Sequence, residues 1–212
     1  QKLDKKGHKA IYYTLSYKNT PIILESALDI QLDNHLTELA MALKVDKTTQ
    51  WCEDMEFLKA SSAEVDSVWK PLYGERSLIK NRYTSATLSF QKSSNHDYKM
   101  DIQVRLYNEG LAFRYFFPEN SKGSYYQITA ENTEFTLPTG TTAFYTQWAQ
   151  GKYQELPLKD WVDSGERPMP LRLANGLWAC LAEAEMVNYA RGKFTLSKTK
   201  KNTIQTSLYG GV

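Results

Sequence analysis

Short stretches of alternating apolar and polar residues, broken by turn-forming residues, run along most of this chain. A period of two marks a strand with one buried face. The pattern is cleanest over residues 100–107, which places Met100, Ile102, Val104 and Leu106 inward. Asn108-Glu-Gly110 then makes a turn, and an aromatic strand over 111–117 runs until Pro118 ends it. Residues 83–90 form a strand of the same kind, with Leu88 and Phe90 on one face and the turn cluster 93–97 after it.

The first part of the chain begins with a hairpin. Residues 9–17 read as a strand, 18–21 as a turn around Asn19 and Pro21, and 22–24 as the returning strand. Residues 26–43 carry two patterns: Ile30 and Leu32 alternate as in a strand, whereas Leu36, Leu39, Ala40 and Leu43 have helical spacing. A short strand is expected after Ser62 within 57–68. Residues 68–77 are broken by Pro71 and Gly74 and read as an ordered loop held by aromatic packing and a Glu75–Arg76 ion pair. Further on, strands are expected at 127–130, 133–137 and 141–146. Residues 151–167 look irregular, and 193–197 with 203–208 make a last hairpin.

Residues 175–196 hold the most informative change of pattern. Asn175-Gly176 is a strong hairpin signal, since a type I′ turn needs positive φ at both central residues. The apolar run 177–182 after it fits a buried strand, and polarity returns abruptly at Glu183 and Glu185. A carboxylate at the end of a buried strand caps a backbone turn, pairs with a nearby arginine such as Arg191, or serves a ligand or metal.

About twelve or more short strands with at most one or two helices predict an all-β fold, a mostly antiparallel sandwich of two large sheets. No repeat, low-complexity tract or linker divides residues 1–212, so they read as a single β-sandwich domain. The Tyr-Gly-Gly-Val end has the look of a connection to further chain.

Composition narrows the function. Fourteen Tyr, eight Phe and five Trp suit sheet faces, and some of them could line a carbohydrate site. The net charge of +2 with interspersed signs, and one short basic run at 198–201, argue against nucleic-acid binding. Cys52 and Cys180 form no CxxC pattern, and Cys180 reads as a small buried hydrophobe. His8, His35 and His96 have no ligand-like spacing, so a histidine zinc site is not expected. No apolar run reaches about 18 residues, so no membrane span is expected. The first residues carry Lys2, Lys5 and Lys6 with no apolar core behind them, which fits either a cytosolic protein or one whose leader has been removed.

Three runs are recognisable together. Trp69-Lys-Pro-Leu-Tyr-Gly-Glu-Arg-Ser77, Asn81-Arg-Tyr83 and Arg105-Leu-Tyr-Asn-Glu-Gly-Leu-Ala-Phe-Arg-Tyr115 resemble, in order and spacing, the N-terminal domain of glycoside hydrolase family 97. The hairpin at 12–26 and Glu131-Asn-Thr-Glu-Phe135 resemble the family as well. The resemblance implies a bacterial α-glucosidase or α-galactosidase built from a β-super-sandwich, a catalytic (β/α)8 barrel and a small C-terminal β domain. The barrel is absent from these residues, so the chain looks like a non-catalytic N-terminal fragment. Its implied partners are that barrel and, in the complete enzyme, an α-linked oligosaccharide. Its implied location is the periplasm or the cell exterior, with the leader removed.

The resemblance also implies that the N-terminal domain lends a glutamate to an active-site calcium ion. Residues 182–189 (Ala-Glu-Ala-Glu-Met-Val-Asn-Tyr) match that segment, which assigns the role to Glu183, with Glu185 as a second candidate metal ligand. Calcium takes six to eight oxygens, so one or two carboxylates bind it weakly by themselves. Glu75, Arg76 and Arg114 are read as structural. The alternative function is a free-standing carbohydrate-binding sandwich that uses Trp148, Tyr153 and Trp161 as stacking platforms.

Overall fold

The computed structural model describes residues 2–3, 9–33, 48–120, 126, 128–161 and 164–208. In chain order the strands are β1 (Lys2–Leu3), β2 (Lys9–Tyr17), β3 (Thr20–Leu28), β4 (Ile30–Asp33), β5 (Thr48–Gln50), β6 (Met55–Trp69), β7 (Ile79–Lys92), β8 (Lys99–Leu106) and β9 (Leu111–Phe116). There follow β10 (Ile128–Glu131), β11 (Glu134–Thr136), β12 (Thr142–Tyr145), β13 (Gln154–Pro157), β14 (Ser164–Gly165), β15 (Met169–Arg172), β16 (Trp178–Leu181), β17 (Gly192–Leu196) and β18 (Thr203–Leu208). One 3-10 turn, Leu158–Asp160, completes the described elements. The protein is all-β, as the alternation predicts. The residues with helical spacing at 36–43 lie outside the described ones.

The chain forms two compact units, one from residues 1–53 and 125–212 and one from 54–124. In the first, a seven-stranded sheet in the order β1-β2-β3-β11-β18-β17-β14 accompanies a four-stranded sheet, β13-β12-β15-β16, and a three-stranded one, β10-β4-β5. All their pairings are antiparallel. Ile23, Phe194 and Ile204 of the large sheet share one core with Ala143, Tyr145, Met169, Leu171 and Leu181 of the four-stranded sheet. That is sandwich packing, with the inner faces of two sheets interdigitating. Ile22 and Ile23 are both buried although they are adjacent, because the β2–β3 register shifts near Leu15 and twists the strand.

The second unit is a four-stranded antiparallel meander, β6-β7-β8-β9. Its burial is concentrated at one end, where Met55, Phe90, Met100 and Ile102 are buried; Leu106, six residues along β8 from Met100, is half exposed. The short strand expected after Ser62 is instead the end of a fifteen-residue strand. Its Ser- and Glu-rich stretch has weak strand propensity, but a near-continuous ladder to β7 overrides that preference.

Four further expectations are corrected. The turn at Asn175-Gly176 has positive φ only at Gly176 (84°), so it is not type I′. Asn175 instead accepts a hydrogen bond from the Leu177 amide through its side chain (3.0 Å). The run 177–182 is not a fully buried strand. β16 is an edge strand covered on one face, so Leu181 is buried while Trp178 and Cys180 face out. Cys180 is therefore an exposed free thiol, and Cys52 is a buried one. Residues 151–167, expected to be irregular, contribute β13, the 3-10 turn and β14.

Candidate functional site

Glu183 lies two residues beyond β16, beside the first residue of β17. The Gly192 amide donates to both of its carboxylate oxygens, at 3.0 and 3.2 Å. A Cβ on residue 192 would sit 2.7 Å from Glu183 Oε1, so any other residue there would push the carboxylate aside. The Arg167 guanidinium pairs with Oε2 of the same carboxylate through Nε. Glu183 thus accepts from the backbone at the start of β17 and pairs with an arginine at once. The arginine is not Arg191, the candidate nearest in sequence.

Arg191 pairs instead with Glu166. The β14–β17 ladder sets Ser164 opposite Thr195 and Gly165 opposite Phe194, so the next step brings Glu166 across from Lys193. Lys193 Nζ lies 3.3 Å from Glu166 Oε1 and also donates to the Gln147 carbonyl (3.2 Å). Arg167 reaches Glu166 at 3.6 Å and Met186 Sδ at 3.3 Å. The Glu166 side chain is only 8% exposed, so three cations converge on a nearly buried carboxylate.

A third carboxylate lies electrostatically close to Glu183. Glu131, on β10, accepts hydrogen bonds from Tyr189 (2.6 Å) and Thr133 (2.9 Å). Burial pushes its carboxyl above the ordinary carboxylate value, and the Glu183 charge pushes in the same direction. Burial, with the neighbouring Glu131 and Glu183 charges, likewise raises the Tyr189 phenol. Both groups therefore hold their protons more tightly than they would in water.

Glu185 is exposed, with a left-handed φ of 55°, so the segment is not extended there and Glu183 and Glu185 do not share a strand edge. Among the described residues no cluster of three or more His, Cys, Asp or Glu could hold a metal. As calcium donors, Glu183 and Glu185 therefore fit only as part of a larger set. Arg167, Glu166, Lys193 and Glu131 are absent from the candidate site residues read from the sequence; only Glu131 lies in a segment that resembles the family, and nothing local marks the other three.

The other predicted residues are placed as follows. Trp161 is buried against Tyr145, with ring centroids 4.9 Å apart, so it is no stacking platform; Trp148 and Tyr153 are exposed. Arg114 is exposed and donates to Gln103 (2.9 Å). Glu75 and Arg76 make no ion pair among the described residues, and Tyr73 beside them is not packed but exposed. No described helix is long and apolar enough to cross a membrane.

With this geometry in view, the family model "Glycosyl-hydrolase 97 N-terminal" matches residues 1–209. Two similar solved structures are of a glycoside hydrolase family 97 enzyme from Pseudoalteromonas sp. strain K8. One, a variant, is in complex with panose, and the other is in complex with acarbose. Each has a TM-score of 0.80 and 21% identity, over 94% of this chain and 29% of the longer one. A β-arabinopyranosidase follows with a TM-score of 0.78 and 17% identity, over 94% of this chain and 32% of its own. The chain therefore spans about three-tenths of the length of the structures it matches. At these identities the likeness establishes a shared fold.

Proposed function

The chain belongs to the glycosyl-hydrolase 97 N-terminal family, and from that premise we propose that it is the non-catalytic module of an α-glycosidase. In the complete enzyme it packs on a catalytic barrel that acts on an α-linked oligosaccharide, outside the cytoplasm. It contributes Glu183, with Glu185 as a second candidate, to a calcium ion at that active site. The observation that carries this reading is the family match along nearly the whole chain, to a domain defined by its place at the N-terminus of a glycosidase. The comparison structures support it, since most of their length lies beyond the matched part.

What this chain's own residues do follows from the geometry. The Gly192 amide and Arg167 hold the Glu183 carboxylate in one orientation, with its side chain 20% exposed. Arg167 has Glu166 as a second carboxylate partner at 3.6 Å, so Glu183 can turn an oxygen towards a cation without stranding the guanidinium. When bound, calcium acts as a Lewis acid on a glycosidic or water oxygen.

The test is a calcium titration of the metal-stripped, full-length enzyme, followed by activity on an α-glucoside and an α-galactoside. Glu183→Gln is expected to weaken calcium binding at least tenfold, and Glu185→Gln less. Native calcium affinity and native hydrolysis in Glu183→Gln would remove the metal role. A stop codon directly after Val212 in the native gene would remove the module reading itself. Trp148 and Tyr153 remain open to solvent as platforms for the alternative, a sugar-binding sandwich. Oligosaccharide binding by the 212-residue chain that is lost on Trp148→Ala would favour that reading.

A further inference from the structure

The β6–β7 hairpin ends in a tip whose apolar residues are not used by the fold. Val68 is 57% exposed, Trp69 51%, Leu72 100%, Tyr73 89% and Leu78 55%. Single exposed apolar side chains are ordinary, but five large ones among eleven consecutive residues form a patch of the kind that marks an interaction site. We propose that this tip, residues 68–78, is a docking surface for the catalytic domain of the same polypeptide. The proposal rests on the module reading above and extends it to a named surface.

The tip is built to present this patch. The β6–β7 ladder stays in register up to the Trp69–Ile79 pair, directly below the loop. Side chains tie the stem just beneath it: Asn81 donates to Ser67 Oγ (3.2 Å), and Ser67 donates to the Asn81 carbonyl (3.4 Å). Pro71 fixes one φ in the loop. Gly74 has φ of 118°, a conformation that L side chains rarely adopt, with nothing within 4 Å of a Cβ added there. The loop's apolar side chains are therefore presented outward from a paired stem and are not buried by the loop itself.

Area and tether choose the occupant. A stable contact between free proteins buries about 800 Å² per partner, from about 20–30 residues a side. A single hairpin tip of eleven residues falls short of that, which argues against a dimer of this chain formed through the tip alone. A domain joined covalently needs less area, because its effective concentration is on the order of millimolar. The comparison chains have about seven-tenths of their length beyond the matched region, so a tethered partner of ample size exists in such proteins. Lys70, Glu75 and Arg76, interspersed with the apolar residues in sequence, are exposed as well.

The experiment places a thiol probe at the tip. Tyr73→Cys is made in a Cys180→Ser background, in both the 212-residue chain and the full native product, and the maleimide labelling rate is measured. Cys52 is buried and serves as the check that each protein is folded. The expected result is labelling at the rate of a free thiol in the 212-residue chain and at least tenfold slower in the full product. Adding Leu72→Asp is expected to restore fast labelling. Equal rates in a full product that is longer than this chain overturn the docking proposal and leave the module reading intact. A native product no longer than this chain overturns both. Protection that appears in the 212-residue chain and grows with its concentration assigns the tip to a second copy, which also overturns the proposal.

Discussion

Glu166 offers the sharpest test of the ionic cluster. Its carboxylate meets Arg191, Lys193 and Arg167, the last two at 3.3 and 3.6 Å, while its side chain is 8% exposed. Each contact at that range is worth roughly 5 kcal/mol of attraction at an effective dielectric near 20, before desolvation is subtracted. Desolvation offsets much of this, so the pairs add little net stability over an apolar replacement of the whole cluster. Glu166→Gln is a different perturbation. It removes one charge and leaves three cations facing one another. Breaking a buried pair this way costs about 3–5 kcal/mol. Arg191 is 42% exposed and can turn to water, which places the expected loss at the lower end, about 3 kcal/mol. For a chain of this size that lowers the melting temperature by about 6–12 °C. The matched control is Glu155→Gln. Glu155 pairs with Arg172 at 2.5 Å, but the two side chains are 50% and 45% exposed, so its loss should cost less than about 0.5 kcal/mol. Thermal scans and urea titrations of the three proteins decide the matter. A Glu166→Gln protein that melts within about 2 °C of the Glu155→Gln control would refute the reasoning.

Other perturbations read different parts of the structure. Glu131 has a folded-state value raised above 4.5 by burial, so the folded protein holds that proton more tightly than the unfolded chain does. Its contribution to stability is fully present below that value and is lost as pH rises through the folded one. Glu131→Gln should therefore flatten the decline in urea midpoint between acid and neutral pH, and parallel curves would contradict this. Asp29 is raised by burial too, so part of the decline should persist. Gly165→Ala should destabilise by about 1–3 kcal/mol, because its Cβ would lie 2.6 Å from Met169 Cε and 2.8 Å from the Trp161 ring; a native urea midpoint would show that the pocket relaxes. Trp161→Ala should cost about 3–5 kcal/mol, whereas Trp148→Ala should stay within about 0.5 kcal/mol, and equal melting temperatures would contradict the burial difference between them.

The fold class was legible because strand alternation is a local signal. Met100 and Ile102 are buried where the pattern puts them, and the 9–17 strand is recovered to the residue. Less legible were features set by neighbours in the sheet. Residues 177–182 read as buried because they are apolar, but β16 lies at a sheet edge with one face uncovered, and edge position is not written in its own sequence. β6 was shortened for the same reason. Its weak propensity is local, and the β7 ladder that extends it is not.

The candidate site shows where local reading stops. Glu183 stood out through the change in polarity after an apolar run, and through a family resemblance. Nearness in sequence pointed to Arg191 as its partner. The pairing of β14 with β17 decides otherwise, because it carries Glu166 up to Lys193, and Arg167, the next residue, pairs with Glu183. Arg167 is sixteen residues from Glu183, and Glu131 is fifty-two residues away, so only the sheet brings them together. The glutamate that sequence sets beside Glu185 and Arg191 is thus one member of a charge network with Arg167 and Glu166. Any role it has towards a cation depends on how readily Arg167 exchanges Glu183 for Glu166. Gly192 limits that exchange from the other side, because its amide keeps hold of the carboxylate whichever partner Arg167 takes.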